Sequence, residues 1–275
     1  MNTILITGTT SGIGEVTARE LARQGNRIVM ANRNREKSEA LKSDIESENP
    51  DCSIELLDLD LASLQSVRDC AQQATKQYPE IAVLINNAGL TSMQQVITGD
   101  GLELQIQVNA LAQLLFTLEL LPSLEAAAPA HVIFVTSMMH KFGKLNPDSF
   151  QGWQKYNANG AYSQSKLAMT MLAKELADRV EDRQIAINTL HPGAVNTGIL
   201  DNYSPLAQFF LRRMFIAPEK GAKTTLHLAE MAPDKLPTGE YFVKCKEAAA
   251  HKLVSDAAAR EKLWQTACGH IEYDA

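Results

Sequence analysis

The sequence predicts a doubly wound α/β fold, an open parallel sheet with helices on both faces, and two observations lead there. Short runs rich in Ile and Val alternate along the chain with longer amphipathic segments. Several of those runs also lack polar alternation, as expected of strands buried on both faces. Strands are expected at residues 3–7, 27–31, 53–57, 82–85, 131–135 and 184–188. Helices fill the gaps. Ile13, Val16 and Leu21 recur at helical spacing before Gly25 as a stop signal, and segments 35–48, 63–77, 101–127, 161–180 and 219–231 read the same way. The β-α alternation implies right-handed crossovers within one domain, since no Pro/Gly/Ser-rich linker, repeat or low-complexity tract divides the chain. Two stretches are irregular, 138–160 and 198–218, and long irregular stretches in a compact domain usually cover or line a binding site.

Bulk properties narrow the function classes. With 275 residues, 45% of them hydrophobic and 21% charged, the chain can bury a large core. A formal charge of -6 and no long basic run leave a nucleic-acid partner without its electrostatic footprint. Cys52, Cys70, Cys245 and Cys268 are scattered, with no Cys-x-x-Cys and no ligand-like cluster with histidine, so they read as reduced structural thiols and no metal site is expected. The first strand begins at Thr3, and the most apolar stretch, 110–122, is interrupted by Gln113, Thr117 and Glu119. The expectation is a cytoplasmic protein without a leader or a transmembrane anchor.

The turn Thr7-Gly-Thr-Thr-Ser-Gly-Ile-Gly14 follows the first strand and opens the first helix. Glycines at such a position let the backbone approach a pyrophosphate, which rests on the free N–H groups and positive dipole of the helix N-terminus. The spacing Gly8-x-x-x-Gly12-x-Gly14 departs by insertion from the common Gly-x-Gly-x-x-Gly, and a plain tight turn would read similarly. Gly8, Thr10, Ser11, Gly12, Ile13 and Gly14 are the candidate cofactor contacts here. At the end of the second strand, where an NAD site usually presents a carboxylate, stand Asn32 and Arg33. A guanidinium pairs with a 2′-phosphate and stacks on adenine, so Arg33 favours NADP(H) over NAD(H), although it could instead serve a solvated helix start. Asp60, with Leu61 beside it, is placed to accept from an adenine amino group, or else to cap the next helix. Asn87, Ala88 and Gly89 after the fourth strand are small enough for backbone to pass close to a cofactor.

Tyr162 and Lys166 stand four residues apart, on one face of a helix. A nearby ammonium favours the phenolate and draws a tyrosine down from its usual pKa of about 10, towards a group that exchanges protons with an alcohol oxygen.

Together the Thr-Gly-x-x-x-Gly-Ile-Gly start, Asn86-Asn-Ala-Gly89, Tyr162-x-x-x-Lys166 and the Pro192-Gly193 turn resemble, in that order, the short-chain dehydrogenase/reductase family. Arg33, Tyr162-Ser-Gln-Ser-Lys166, His191-Pro-Gly-Ala-Val-Asn-Thr197 and Gly239-Glu-Tyr-Phe-Val-Lys-Cys245 look like its retinol dehydrogenase-like branch. The resemblance implies a Rossmann-type fold and allocates roles. Tyr162 becomes the acid/base, and Lys166 lowers its pKa and holds the nicotinamide ribose. Ser137 bonds the reacting oxygen, and Asn109 supports a water linking Lys166 to solvent. Pro192, Gly193, Val195 and Thr197 line the nicotinamide, while His191 reads as structural. The implied reaction is hydride transfer between NADP(H) and a small-molecule carbonyl or alcohol.

Apolar residues of 198–218 (among them Leu200, Phe209, Phe210 and Phe215) could cover a hydrophobic substrate or equally belong to a helix packed on the core or on a neighbouring subunit, while Phe142, Phe150, Trp153 and Tyr156 of the earlier stretch are expected to border the cleft, and the substrate is expected to be lipophilic. A sensor or scaffold without turnover is the rival reading, though all four catalytic positions are present. A sugar-nucleotide epimerase needs more chain after Thr197. Family habit implies dimers or tetramers through helices 101–127 and 161–180.

Overall fold

In the computed structural model, which describes residues 1–193, 217–232 and 235–274, the expected strands form one sheet. The parallel strands are β1 (Thr3–Thr7), β2 (Arg27–Asn32), β3 (Ser53–Asp58), β4 (Val83–Asn86), β5 (Ala130–Val135), β6 (Ile185–His191) and β7 (Tyr241–Val243). A short β8 (Lys246–Glu247) turns back antiparallel, and the order is β3-β2-β1-β4-β5-β6-β7-β8. The order reverses between β1 and β4. In such sheets the crevice beyond the strand C-termini at that reversal is where ligands bind, and both the glycine turn and the 87–89 segment open onto it.

The connecting helices are α1 (Gly12–Arg23), α2 (Arg35–Glu48), α3 (Leu64–Gln77), α4 (Leu104–Ile106), α5 (Ala112–Glu119), α6 (Leu121–Ala126), α7 (Ala158–Arg179), α8 (Pro218–Ala229) and α9 (Ala257–Ile271). Side-chain caps start several of them: Asn34 accepts from Lys37 N–H, Ser63 from Ser66, Asn157 from Gly160 and Asp256 from Ala259. One face of the sheet packs Ile4, Ile6, Met30 and Ile85 against Leu21, Leu41 and Leu228. The other packs Leu5, Val29, Leu84 and Val132 against Ala71, Leu115, Phe116 and Leu172. Both faces are covered, which is why the strands read as unbroken apolar runs.

Segment 101–127 is not the single helix that its periodicity suggested. It comprises α4, a π-helical turn over Gln107–Leu111, α5 and α6, with Leu120 at the last junction. Pro122 in the first turn of α6 has no N–H to continue the ladder from α5. The π turn widens the helix where Asn109 sits.

Stretch 138–160 holds two 3-10 turns, Met138–Phe142 and Pro147–Gln151. Its expected role as a cover needs correction at two residues. Phe150 is fully buried in the core, and its carbonyl accepts from Glu103 N–H at 2.7 Å. The Tyr156 hydroxyl donates to Ser92 O at 2.8 Å and accepts from Gln105, so that ring is tied down from beneath. Phe142 is exposed. Stretch 198–218 lies outside the described residues apart from its last two positions.

Helix α9, absent from the expected elements, lies along α7 and gives that helix a second buried face. Buried Arg260 donates to Glu175 at 3.1 Å, to Asp178 at 2.7 Å and to the Val254 carbonyl at 2.8 Å, and the Arg179 guanidinium stacks 4.5 Å over Trp264. This side of α7, one of the two helices through which family habit implies subunit contacts, packs against α9 within the chain. No helix among the described residues is long and apolar enough to cross a membrane.

His131 on β5 is held neutral inside the core. Its Nδ1–H donates to Leu228 O at 3.1 Å and its Nε2 accepts from the Asn188 amide at 3.1 Å, so a second ring proton would face a donor. Burial pushes its pKa down to about 4. The unfolded chain therefore binds this proton first: the contribution to stability is complete above about pH 6.5 and is lost as pH falls through 4, on the order of 3 kcal/mol in all. His131→Gln should flatten the fall of Tm between pH 6.5 and 4 without abolishing it, because His191 is also pushed down to about 4. Melting curves across that range check this, and an unchanged slope would count against it.

Candidate active site

The glycine turn is held open by polar clamps. The Asn87 amide donates to Thr7 O and Gly8 O, both at 2.9 Å, and the Thr7 hydroxyl accepts from Asn87 and Ala88 N–H, both at 3.0 Å. Those four bonds join the ends of β1 and β4 across the reversal point. Gly8 and Gly12 take positive φ, 69° and 61°. A Cβ on Gly8 would lie 2.8 Å from Ala88 Cα, and one on Gly14 would lie 2.2 Å from Gly8 O. Backbone packed this closely leaves the N–H groups at the start of α1 as the surface presented to a phosphate. The Ser11 hydroxyl makes no capping bond, and Thr10 and Ile13 complete the turn.

Asn32 serves the same turn rather than reaching beyond it: its Oδ1 accepts from Thr9 N–H at 2.7 Å and its amide donates to Thr9 Oγ1 at 2.8 Å. Arg33 is exposed, with no hydrogen-bond or ion-pair partner among the described residues, whereas Arg35 pairs with Glu39 and Asp58. Asp60 accepts from Ala62 N–H at 3.0 Å, and Leu61 beside it is buried. Pro192 and Gly193, the latter at φ 98°, follow β6, while Val195 and Thr197 lie outside the described residues.

The four residues assigned to catalysis come from three elements and converge. Ser137 follows β5, where its Oγ accepts from Met139 N–H at 3.2 Å, and its hydroxyl is the group that tends to lower the Tyr162 pKa. Tyr162 and Lys166 are on one face of α7 as their spacing predicts, with Lys166 Nζ 6.0 Å from the phenol ring centroid. Asn109, on the π turn, accepts from Leu90 N–H at 2.8 Å and donates to Leu90 O and Ser165 Oγ. Gly89 lies between the last two: a Cβ there would sit 3.2 Å from both Asn109 Oδ1 and Lys166 Nζ.

Sequence reasoning missed Ser165. Its hydroxyl donates to Tyr162 O at 2.8 Å while accepting from Asn109, so it couples the tyrosine's turn of α7 to the π turn. Its position inside Tyr-Ser-Gln-Ser-Lys was the available signal.

Electrostatics correct one expectation. Lys166 does not draw Tyr162 down. Burial pushes the phenol above its ordinary value, and the opposing influence is the Ser137 hydrogen bond. The reason lies in the lysine, which is itself so desolvated that its pKa falls to about 7. An ammonium close to its own titration point carries less than full charge at neutral pH. Its one hydrogen bond among the described residues is to Val135 O at 3.1 Å, which leaves donor capacity for a ligand hydroxyl.

The glycine cradle, the reversal-point crevice and the Ser-Tyr-Lys-Asn cluster together define a nicotinamide-dependent oxidoreductase fold. The family model described as short chain dehydrogenase matches residues 2–206, and the chain belongs to that family. Among curated proteins it is 36% identical to human retinol dehydrogenase 14, over 95% of this chain and 84% of that one. It is also 36% identical to bovine dehydrogenase/reductase SDR family member 13, over 96% and 71%. Among solved structures, an uncharacterized protein from Mycobacterium paratuberculosis superposes with a TM-score of 0.80 at 30% identity, covering 100% of this chain and 94% of that one. The RhlG/NADP complex from Pseudomonas aeruginosa shares the fold at a TM-score of 0.72 and 23% identity, over 88% and 93%.

Gly14→Ala should force the turn and α1 apart. Overpacking against backbone predicts a loss of about 1–3 kcal/mol in stability and a larger proportional loss of dinucleotide affinity. Thermal melts and NADPH titration of the variant test this, and wild-type affinity would show that the cradle is not the phosphate site.

Proposed function

We propose that this chain is an NADP(H)-dependent oxidoreductase that interconverts a lipophilic carbonyl compound and its alcohol. The observation that carries the proposal is the convergence of Ser137, Tyr162, Lys166 and Asn109 beside a glycine cradle that side chains would fill. The residues present fit a nicotinamide dinucleotide. Gly8, Gly12 and Gly14 would admit its pyrophosphate, and Asp60 and Leu61 would border its adenine. Arg33 would meet a 2′-phosphate, and Lys166, Pro192 and Gly193 would flank the nicotinamide half, with Val195 and Thr197 assigned there from the sequence alone.

When bound, the cofactor supplies or accepts the hydride. The chain's part is orientation and proton handling. Ser137 Oγ accepts from Met139 N–H, and its hydroxyl, which can both donate and accept, would bond the reacting oxygen. In reduction Tyr162, held protonated by burial, would donate its proton to that oxygen. In oxidation the same oxygen must give a proton to the phenolate. Lys166, near its titration point, can carry charge to support that phenolate, and Asn109 fixes the backbone beside it.

The lipophilic preference rests on the apolar residues of 198–218 and on Met138 and Phe142, which stay exposed in the turn that follows Ser137. The retinol dehydrogenases among the relatives are consistent with it. NADP(H) preference rests on Arg33, exposed and unpaired among the described residues.

Tyr162→Phe should lower carbonyl turnover to background, at least about a hundredfold for loss of the general acid, while NADPH binding stays within about twofold. Retained turnover would assign the proton to another group. Arg33→Asp should raise the preference for NADH by replacing attraction with repulsion at the 2′-phosphate, read as the ratio of kcat/KM for the two cofactors. An unchanged ratio would remove the NADP argument. NADPH oxidation against a graded series of aldehydes and ketones tests substrate class, and activity confined to small polar sugars or hydroxy acids would overturn the lipophilic assignment.

A further inference from the structure

The peptide group that joins Ser137 to Met138 is gripped at both ends by histidine rings. Its carbonyl, Ser137 O, lies 2.7 Å from His140 Nδ1, and its N–H, on Met138, donates to His191 Nδ1 at 3.2 Å. The two rings come from different elements, one from the 3-10 turn after β5 and the other from the last residue of β6. A carbonyl can only accept and an amide N–H can only donate, so the proton states follow. His140 must carry its proton on Nδ1, and His191 must leave Nδ1 bare. The far side of His140 agrees, because its Nε2 accepts from His251 N–H at 3.2 Å, which requires that nitrogen to be unprotonated.

Neither ring is free to turn. His140 is fully buried, with its edge against Tyr241 at 4.7 Å between centroids and 70° between planes, and His191 is buried at the sheet edge of the crevice. Burial lowers the pKa of both, in keeping with two neutral rings.

Rotation of a peptide plane swings the Cα–Cβ bond of the residue before it, so holding this plane fixes where the Ser137 hydroxyl points. Met139 N–H, donating to Ser137 Oγ, completes a three-point restraint on one residue. We infer that His140 and His191 are a pair of positioning residues that clamp the Ser137–Met138 peptide and thereby aim the Ser137 hydroxyl at the reacting oxygen. The inference rests on the reading of Ser137 as the group that meets that oxygen. His251 extends the restraint to the chain's C-terminal segment, where its own Nδ1 accepts from Leu253 N–H at 3.2 Å.

The side-chain amide of asparagine sets a donor or an acceptor close to where histidine Nδ1 stands, which gives a conservative replacement for either role. His140→Leu and His191→Leu, assayed with NADPH and decanal, should each lower kcat about tenfold or more through a misaimed hydroxyl. The Kd for NADPH should stay within about twofold, because neither ring contacts the glycine turn. His140→Asn and His191→Asn should recover most of the loss. Ring nitrogen spectra of the 15N-labelled wild-type protein provide a readout that needs no turnover: His140 should be the Nδ1–H tautomer and His191 the Nε2–H tautomer at pH 7.

The reverse tautomer at either ring would overturn the clamp, as would wild-type kcat in the leucine variants or asparagine variants no better than leucine. A loss of NADPH affinity in step with kcat would also overturn it, since that pattern marks general structural damage. If Ser137→Ala keeps wild-type turnover of decanal while the tautomers are as expected, the catalytic reading of Ser137 fails and the clamp stands as geometry alone.

Discussion

The bond from buried Lys166 to the Val135 carbonyl is the constraint on which the site depends. It joins α7 to the end of β5 two residues before Ser137. Two further bonds follow the same seam: the Thr136 hydroxyl donates to Lys166 O at 3.2 Å and the Thr170 hydroxyl donates to it at 2.8 Å. A helix that carries a phenol and an amine is thereby held in register with a strand that ends in a hydroxyl. The cost is a lysine almost wholly removed from water, and its lowered pKa records that cost. The same desolvation keeps the tyrosine protonated. Burial therefore favours the uncharged form of both groups, raising the pKa of the phenol and lowering that of the amine.

Glycine performs the complementary task on the cofactor side. Where Lys166 needs polar partners to be buried, the turn after β1 needs the absence of side chains, and Asn87 and Thr7 satisfy the backbone groups that close approach would strand. Asn32 adds a third anchor through Thr9. The turn is thus rigid before any ligand contacts it, which reduces the ordering cost of binding.

Much of this was legible from sequence. Strands β1 to β6 were visible because both sheet faces are covered, and the Tyr162 and Lys166 pair because helical spacing converts directly into a shared face. What stayed hidden depends on contacts between distant residues. The breaks in 101–127 are invisible to periodicity, since the π turn and α5 are buried on nearly every side and no exposed polar stripe marks the change of phase. Helix α9 was overlooked because its buried face includes Arg260, whose partners Glu175 and Asp178 lie more than eighty residues away. Phe150 looked like a lid residue because its loop is long, yet the loop folds inward. The bond from Met138 N–H to His191 Nδ1 is likewise a backbone contact that no motif records. Arg33 and Asp60 are placed as expected at their strand ends, and their ligand roles rest on the proposal above.

Arg260 also bears on the order in which the chain is made. Its partners sit on α7, and α9 leaves the ribosome well after them. Until then one apolar side of α7 and the buried carboxylate of Glu175 have no cover, although the parallel strands β1 to β6 have already been synthesised. Such a nascent chain presents a ready surface to chaperones and to other nascent chains. Closing that surface brings one arginine to two carboxylates and a carbonyl.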